Sequence, residues 1–346
     1  MFIFYRLRFL ALSCYLHRQK LSTRRDILSC FINTTFSQKL FHLKFVIISH
    51  INNNLGVINI AISGATGFIG KHLAIFFMEL GHNVVPLNRY IFKEEKFETL
   101  AQTLTQCDVV INLAGAPINK RWTPQYKQEL YDSRINVTRY IIRALNSNPT
   151  KPKVMISTSA VGYYSSQGTS DEYSNKRGSG FLTELCEAWE QEARRCPQET
   201  RLVITRFGIV LSPDGGAMQQ MLLPLKMKFA AAIGPGSQYF PWISINDLCR
   251  AMAFIIENNS MTGIVNLVSP DRLTQHTFAR ALKKAYHAWA TIVIPRYCFR
   301  LLYGESATFL TTGQDVKPTR LIESGFKFED AGIKQFLQKT IKNPPK

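Results

Sequence analysis

The chain has 346 residues, 42 Lys+Arg against 24 Asp+Glu, a formal net charge of +18, and 46% apolar residues. That much apolar material builds a full core and excludes wholesale disorder, and at roughly 150 residues per domain the length predicts one large or two ordinary domains. No uncharged apolar run reaches the roughly 18 residues that mark a membrane-spanning helix, which excludes a polytopic membrane protein.

The seven cysteines are scattered, odd in number and without a C-x-x-C pair. A disulfide scaffold or a zinc cluster is therefore not expected, no metal site is predicted, and a reducing compartment fits. The basic balance comes without aromatic–basic interleaving, zinc-finger spacing or a helix-turn-helix signal, so no nucleic-acid partner is expected. No membrane partner is expected either, and nothing in the sequence specifies an oligomeric state.

Residues 1–56 hold eight Lys and Arg against one acid, Asp26, with several Ser and Thr. That is the composition of a mitochondrial presequence, and it is equally that of an untidy extension with no targeting role, which would leave the protein cytoplasmic.

Globular patterning begins at Val57. "VINIAIS" (57–63) is an apolar run of strand length, "GATGFIG" (64–70) a glycine-rich turn, and "KHLAIFFMELGH" (71–82) a helix ending near Gly81. Strand, glycine turn and helix in that order form a dinucleotide-binding fingerprint. Gly64 makes the tight turn, Gly67 lets the backbone approach a pyrophosphate, and Gly70 lets the helix pack on the strand. Thr66, Phe68 and Ile69 share the turn, and the helix N-terminus turns free N–H groups and a positive dipole end toward phosphate.

A second strand is expected at 83–89. In such folds its end meets the adenosine ribose, where an acid would hold a free 2′-hydroxyl. Here the residues are Asn88 and Arg89, with no acid before Glu94. Arg89 suits a 2′-phosphate through charge-assisted hydrogen bonds, which favours NADP(H) over NAD(H). Alternatively, Arg89 is a solvated loop residue. A third strand (108–115) ends in Ala114 and Gly115, small enough for a cofactor to pass closely. A helix is expected from Pro124 to Asn146, then strands at 153–160 and 201–211. Strands alternating with helices predict a doubly wound parallel α/β sheet of Rossmann type.

"GATGFIG", the "NLAG" strand end and "STSAVGYY" resemble the extended short-chain dehydrogenase/reductase superfamily. "RWTPQYKQELYDSRINVTR", "GFLTELCEAWEQEA", "RFGIVLSPDGGAM", "SQYFPWISINDL" and "TGQDVKPTRLIESGF" are similar to one atypical branch, the epimerase family proteins, which end in a small domain of unknown function. The likeness covers about residues 57–340. It implies a Rossmann domain over 57–212 plus 243–258, and a discontinuous substrate lobe over 213–242 and 264–346.

In that superfamily a Ser polarises the substrate oxygen, a Tyr in Y-x-x-x-K moves a proton, the Lys lowers the Tyr pKa, and an Asn supports a water relay. The resemblance puts Ser159 at the Ser position, although Ser157, Thr158 and Ser159 also read as plain polar residues at a strand end. Aligning Glu190 with the Glu that follows the superfamily helix motif puts Leu182 at the Tyr position and Cys186 at the Lys position. Neither can do the usual work: Leu carries no proton, and a neutral thiol does not replace an ammonium. Arg134 takes the Asn position, as an anion clamp or a structural strut. Tyr163 and Tyr164 are candidate replacement proton donors, or sheet-packing residues. Lys120, Arg121 and Trp122 are candidates to line the cleft, and Trp242 and Asp247 read as scaffold. Ser244 stands where relatives carry His, and Ala230–Ala232 predict a stiffer, helical loop. Two functions remain open: an NADP(H)-dependent oxidoreductase or epimerase-like enzyme on a small carbonyl or sugar-like substrate, and a cofactor-binding sensor or partner-binding module without catalysis.

Overall fold

A computed structural model describes residues 56–342 apart from 175 and 235. The expectations for the N-terminal segment lie outside the described residues. Six parallel strands form the central sheet: β1 (Asn59–Ser63), β2 (Asn83–Leu87), β3 (Val109–Asn112), β4 (Val154–Ala160), β6 (Arg201–Phe207) and β10 (Gly263–Leu267). A minor strand β5 (Thr169–Ser170) precedes β6, and β7 (Ile209–Ser212), β8 (Phe229–Ile233) and β9 (Trp242–Ser244) follow it. Two later minor strands are β11 (Ala290–Ile294) and β12 (Asp315–Val316). The sheet order β10-β6-β4-β3-β1-β2 reverses direction between β1 and β3. In an open parallel sheet that reversal leaves a crevice beyond the strand carboxyl ends, where ligands bind.

The helices that cover the sheet are α1 (Phe68–Glu79), α2 (Phe97–Thr105), α3 (Pro124–Ser147), α4 (Phe181–Ala193) and α6 (Ile245–Glu257), while α5 (Gly216–Lys226) packs on the minor strands β7 and β8. Ile60 and Ile62 of β1 pack toward α1 and α6 beside Leu73, Phe77, Leu248 and Met252. Between them Ala61 faces the other way, with Leu100 of α2 and Ile141 and Leu145 of α3. Burial on both faces is the reason β1 reads as a continuous apolar run rather than an alternating one.

A second core joins Met218 and Leu225 of α5 to Ala230, Phe240 and Trp242. It also takes in Phe278 and Leu282 of α7 (Gln275–Ala285), and residues near the C-terminus. The later helices are α8 (Arg296–Tyr303), α9 (Thr308–Thr311), α10 (Thr319–Glu323) and α11 (Ile333–Lys342).

Several expectations are corrected: the strand expected at 83–89 ends at Leu87, and that expected at 108–115 ends at Asn112, so Arg89, Ala114 and Gly115 lie just past the strands. Helix α1 starts at Phe68, inside the glycine turn, because Gly67 has extended backbone angles and serves as its N-cap. It ends where Gly81 takes φ +87 and His82 N–H bonds back to the Phe77 carbonyl, the glycine-dependent stop of many helices. The run 201–211 is two strands, broken at Gly208, where a Cβ would sit 2.7 Å from the Pro241 carbonyl oxygen. Ala230–Ala232 form a strand rather than a helix, because β11 pairs alongside in parallel register.

Candidate functional site

The register aligns the strand ends in one row. Leu87 pairs with Ser63, Ser63 with Asn112, Asn112 with Ser157, and Ser157 with Ile204. The segments leaving that row, Asn88–Arg89, Gly64–Gly70, Leu113–Gly115 and Thr158–Ser159, therefore share one edge of the sheet. This edge borders the β1/β3 reversal.

The three glycines of the turn do different work. Gly64 has φ +70, and a Cβ there would lie 3.1 Å from the Leu113 carbonyl carbon, so both backbone angle and space demand glycine. Gly70 is tighter still: a Cβ would come within 2.2 Å of the Gly64 oxygen and 2.8 Å of Ala65 Cα. Gly67 is different. Its φ is −72, and a Cβ would meet only the Gly64 oxygen, at 3.2 Å. Thr66 and Gly67 are exposed at the tip, and no side chain caps α1, so its first N–H groups face outward. Phe68 contributes its ring elsewhere, against Gly215 and Gly216 at the start of α5. This local cradle fits a pyrophosphate: two glycines shape the turn, and the third keeps its mouth open.

At the end of β2, Arg89 is exposed in a short 3-10 turn. Among the described residues it has no ion-pair partner. At the end of β3, Ser63 Oγ accepts the N–H groups of Leu113 and Ala114 and donates to Asn112 Oδ1 at 2.6 Å. Asn112 Nδ2 donates to Thr138 Oγ1 at 2.8 Å, which also accepts from Trp189 Nε1 at 2.9 Å. This network holds the backbone at Leu113 and Ala114 in place.

Arg134 packs directly behind Gly115, where a Cβ would touch its guanidinium at 2.9 Å. It donates to the carbonyls of Leu130 (3.1 Å) and Ala116 (3.0 Å) and lies over the Trp189 ring. Burial lowers its pKa from the ordinary arginine value. This is the geometry of the strut, one of the two roles the sequence left open.

Ser159 lies at the end of β4, 1% exposed, and its hydroxyl donates to Glu190 Oε1 at 2.8 Å. Glu190, on α4, is fully buried and receives two hydrogen bonds from Arg206 of β6, at 2.7 and 2.8 Å. Burial works against the Arg206 cation, but the hydrogen bonds and charge of Glu190 outweigh it and hold its pKa above the ordinary arginine value. The Tyr163 ring stacks on that guanidinium, 3.6 Å from centroid to Cζ, and the Tyr164 ring lies 4.6 Å from it. The Tyr164 hydroxyl is buried and donates to Asn266 Oδ1 at 3.0 Å. Burial pushes the Tyr164 phenol above its usual pKa. Tyr163 is only half-buried.

Leu182 lies against Gly162, and Cys186 is buried beside Ala160 and Ser159. Burial, then the Glu190 charge, push the Cys186 thiol up to about 11, which keeps it protonated and unreactive at neutral pH.

The structure thus gathers the glycine turn, Arg89, Ala114 and Gly115 on one edge, with Ser159 and the two tyrosines on the neighbouring β4 end. Trp122 is not a cleft residue: it is buried between Phe181 and Phe309. Lys120 lies over the Tyr126 ring, and Arg121 lies against Gly304. Sequence reading missed the Ser63–Asn112–Thr138 network and the Glu190–Arg206 pair. A charge inside the buried run "RLVITRFG" was the available signal for the latter, since a buried charge needs a partner.

The sequence matches the NAD dependent epimerase/dehydratase family over residues 60–267, and a domain of unknown function, DUF1731, over 294–340. It is 36% identical over 298 residues to an epimerase family protein of Staphylococcus aureus (strain N315), covering 81% of this chain and 98% of the relative. It is 32% identical over 300 residues to the chloroplastic SDR39U1 homolog of Arabidopsis thaliana, covering 81% and 85%. The fold matches the crystal structure of human epimerase family protein SDR39U1 (isoform 2) with NADPH at a TM-score of 0.76 and 30% identity. That match covers 83% of this chain and all of that one.

Proposed function

Because the chain belongs to the NAD dependent epimerase/dehydratase family, we propose that it binds NADP(H) and is an oxidoreductase of a small carbonyl or sugar-like substrate. The observation that carries this reading is the uncapped helix N-terminus behind Gly64–Gly70, at the reversal of a parallel sheet. The related human protein is described with NADPH, which supports the phosphate reading of Arg89. When bound, the cofactor supplies hydride exchange at its nicotinamide.

The chain's own residues do the rest. Gly64, Thr66, Gly67, Phe68, Ile69 and Gly70 hold the pyrophosphate through backbone N–H groups. Arg89 pairs with the 2′-phosphate. Ala114 and Gly115, braced from behind by Arg134, let the cofactor pass. The substrate lobe, 213–242 and 264–346, closes over the cleft from the Rossmann domain, 57–212 plus 243–258, and excludes water. Ser159 faces the substrate oxygen from a position set by Glu190. Because its proton is held by Glu190, Ser159 accepts a hydrogen bond from a hydroxyl substrate, and must turn to donate to a carbonyl. Tyr163 is the better candidate proton donor, since the Tyr164 hydroxyl is committed to Asn266.

That same commitment favours a second reading, a cofactor-binding module without turnover. Ser159 and Tyr164 spend their hydroxyls internally, and Leu182 and Cys186 stand where the family's Tyr and Lys belong. One experiment separates them: calorimetry with NADPH and NADH, then a carbonyl screen followed at the nicotinamide absorbance. Tight NADPH binding with turnover that Tyr163→Phe reduces supports the enzyme. Tight binding with no turnover across the screen supports the module, and no binding of either cofactor overturns both.

A further inference from the structure

Strands β8 and β11 make a two-stranded parallel sheet, with Ala231 opposite Ile292 and Ile233 opposite Ile294. In β8 burial alternates: Ala230 enters the second core and Ala232 is buried with it, while Phe229, Ala231 and Ile233 stay half-buried on the other face. Paired residues of a parallel sheet share a face. The outward face is therefore Phe229, Ala231, Ile233, Ile292 and Ile294, all apolar.

The margin of this sheet is more exposed still. Trp289 and Leu301 are each 75% exposed and Leu302 71%, and Ile292 and Tyr297 are exposed with them, Trp289 with its ring edge-on to Phe229. Helix α8 buries none of its eight residues. Single exposed apolar side chains need no explanation, but five gathered from β11, the residue before it and α8 do.

The segments that build this patch are basic, and the acid just past α8, Glu305, is already paired with Lys127. Asp214–Asp247 and Asp271–Glu305 enclose the segments that build it, and between those acids lie eight Lys and Arg with no Asp or Glu. Among the described residues, only Arg272 of these eight has an acidic partner. Lys226 and Lys228 precede β8, and Arg296 and Arg300 stand one turn apart on α8, next to Tyr297 and Leu301.

From this we infer that the β8/β11 face with α8 is a docking surface for an anionic lipid bilayer. Trp and Tyr at a polar–apolar boundary, leucines beyond it and flanking Lys and Arg are the chemistry of an interfacial attachment. The attachment is peripheral, because among the described residues no helix is long and apolar enough to cross a membrane. The sequence expectation of no membrane partner rested on spanning segments and does not extend to a surface contact. A second copy is a poorer occupant. A two-fold contact brings the same patch to itself and sets Arg296 and Arg300 near their own images, while the neighbouring acid Glu305 is already engaged by Lys127.

Tryptophan fluorescence of the full chain tests this directly. The four tryptophans are Trp122, Trp189, Trp242 and Trp289. The first three are buried, and residues 1–56 contain none, so an emission change on vesicle binding reports Trp289 and not the basic leader. Mixing with phosphatidylcholine vesicles containing phosphatidylserine should shift emission to shorter wavelength, and Trp289→Phe should remove the shift. Vesicle affinity should fall at least about tenfold in Leu301→Ser/Leu302→Ser and in Arg296→Glu/Arg300→Glu, since each removes apolar or basic contact with the surface. Because these side chains are exposed, the thermal midpoint should stay near that of the unmodified chain.

Unchanged emission with anionic vesicles overturns the proposal, whether or not the protein sediments with them. An equal shift with pure phosphatidylcholine overturns the anionic assignment. Self-association abolished by the leucine pair makes a second copy the occupant. A shift with polyglutamate but not with vesicles makes an acidic protein the partner.

Discussion

A methyl group on residue 70 would come within 2.2 Å of the Gly64 oxygen, while one on residue 67 would reach no closer than 3.2 Å. The two glycines should therefore fail differently. Gly70→Val should destabilise the fold by about 1–3 kcal/mol through overpacking, read as a lower urea midpoint. Gly67→Val should leave that midpoint nearly unchanged and remove cofactor binding, because its side chain fills only the open mouth. A folded Gly67→Val variant with full NADPH affinity would remove the turn from the pyrophosphate role.

Arg89 is tested on the same footing. Losing a charged hydrogen bond to phosphate costs about 1.5–3 kcal/mol, so Arg89→Asp should weaken NADPH at least about tenfold and spare NADH. Equal loss of both cofactors in calorimetry would return Arg89 to the solvated loop.

Between elements, the Glu190–Arg206 pair joins α4 to β6 and holds Ser159 on β4. Both ions are almost fully buried, with 3% and 2% of their side chains exposed. Breaking such a pair from one side strands a charge, at about 3–5 kcal/mol. Arg206→Met should therefore be severely destabilising in a denaturant titration. Arg206→Met with Glu190→Met should recover much of the loss.

A second tie joins β5 to β12, where Arg272 and Thr169 bind the Asp315 carboxylate. Burial alone would raise its pKa, but Arg272, Thr169 and the Lys317 charge together hold it below the ordinary carboxylate value. A folded-state pKa below the unfolded one gives stability that is present above the ordinary carboxylate range. That stability is lost as pH falls through the lowered value. Urea midpoints from neutral pH downward should thus fall more steeply in the unmodified protein than in Arg272→Gln.

Over the whole molecule, residues 57–346 form one compact unit, so a ligand held at the sheet edge should stabilise all of it together. At about 100 times its Kd, a ligand adds ~2.7 kcal/mol of stability. For a folded unit of this size NADPH should then raise the thermal midpoint by about 4–5 °C. NADH at the same concentration should raise it less. Equal shifts would argue against the 2′-phosphate preference.

The sequence by itself determined whatever is written in consecutive residues. Strand, glycine turn and helix succeed one another over 57–82, and the tight fit of Gly70 against Gly64 and Ala65 is local to the turn. Pro124 marks the start of α3 in the same way, as its first helical residue. The parallel sheet followed from the alternation of apolar strands with helices.

Tertiary structure decided what depends on partners far along the chain. Ala230–Ala232 favour a helix locally, yet β11, from a much later segment, supplies the hydrogen bonds of a strand. Trp122 follows a strand end as a cleft residue would, but Phe181 and Phe309 enclose it. Ser159 was legible by position, while the direction of its hydrogen bond was not, because its acceptor Glu190 lies on another element and is fixed by Arg206 on a third. Residue identity sets which hydrogen bonds a side chain can make. Only packing sets which of them it does make, since a buried donor is held to the acceptor enclosed with it.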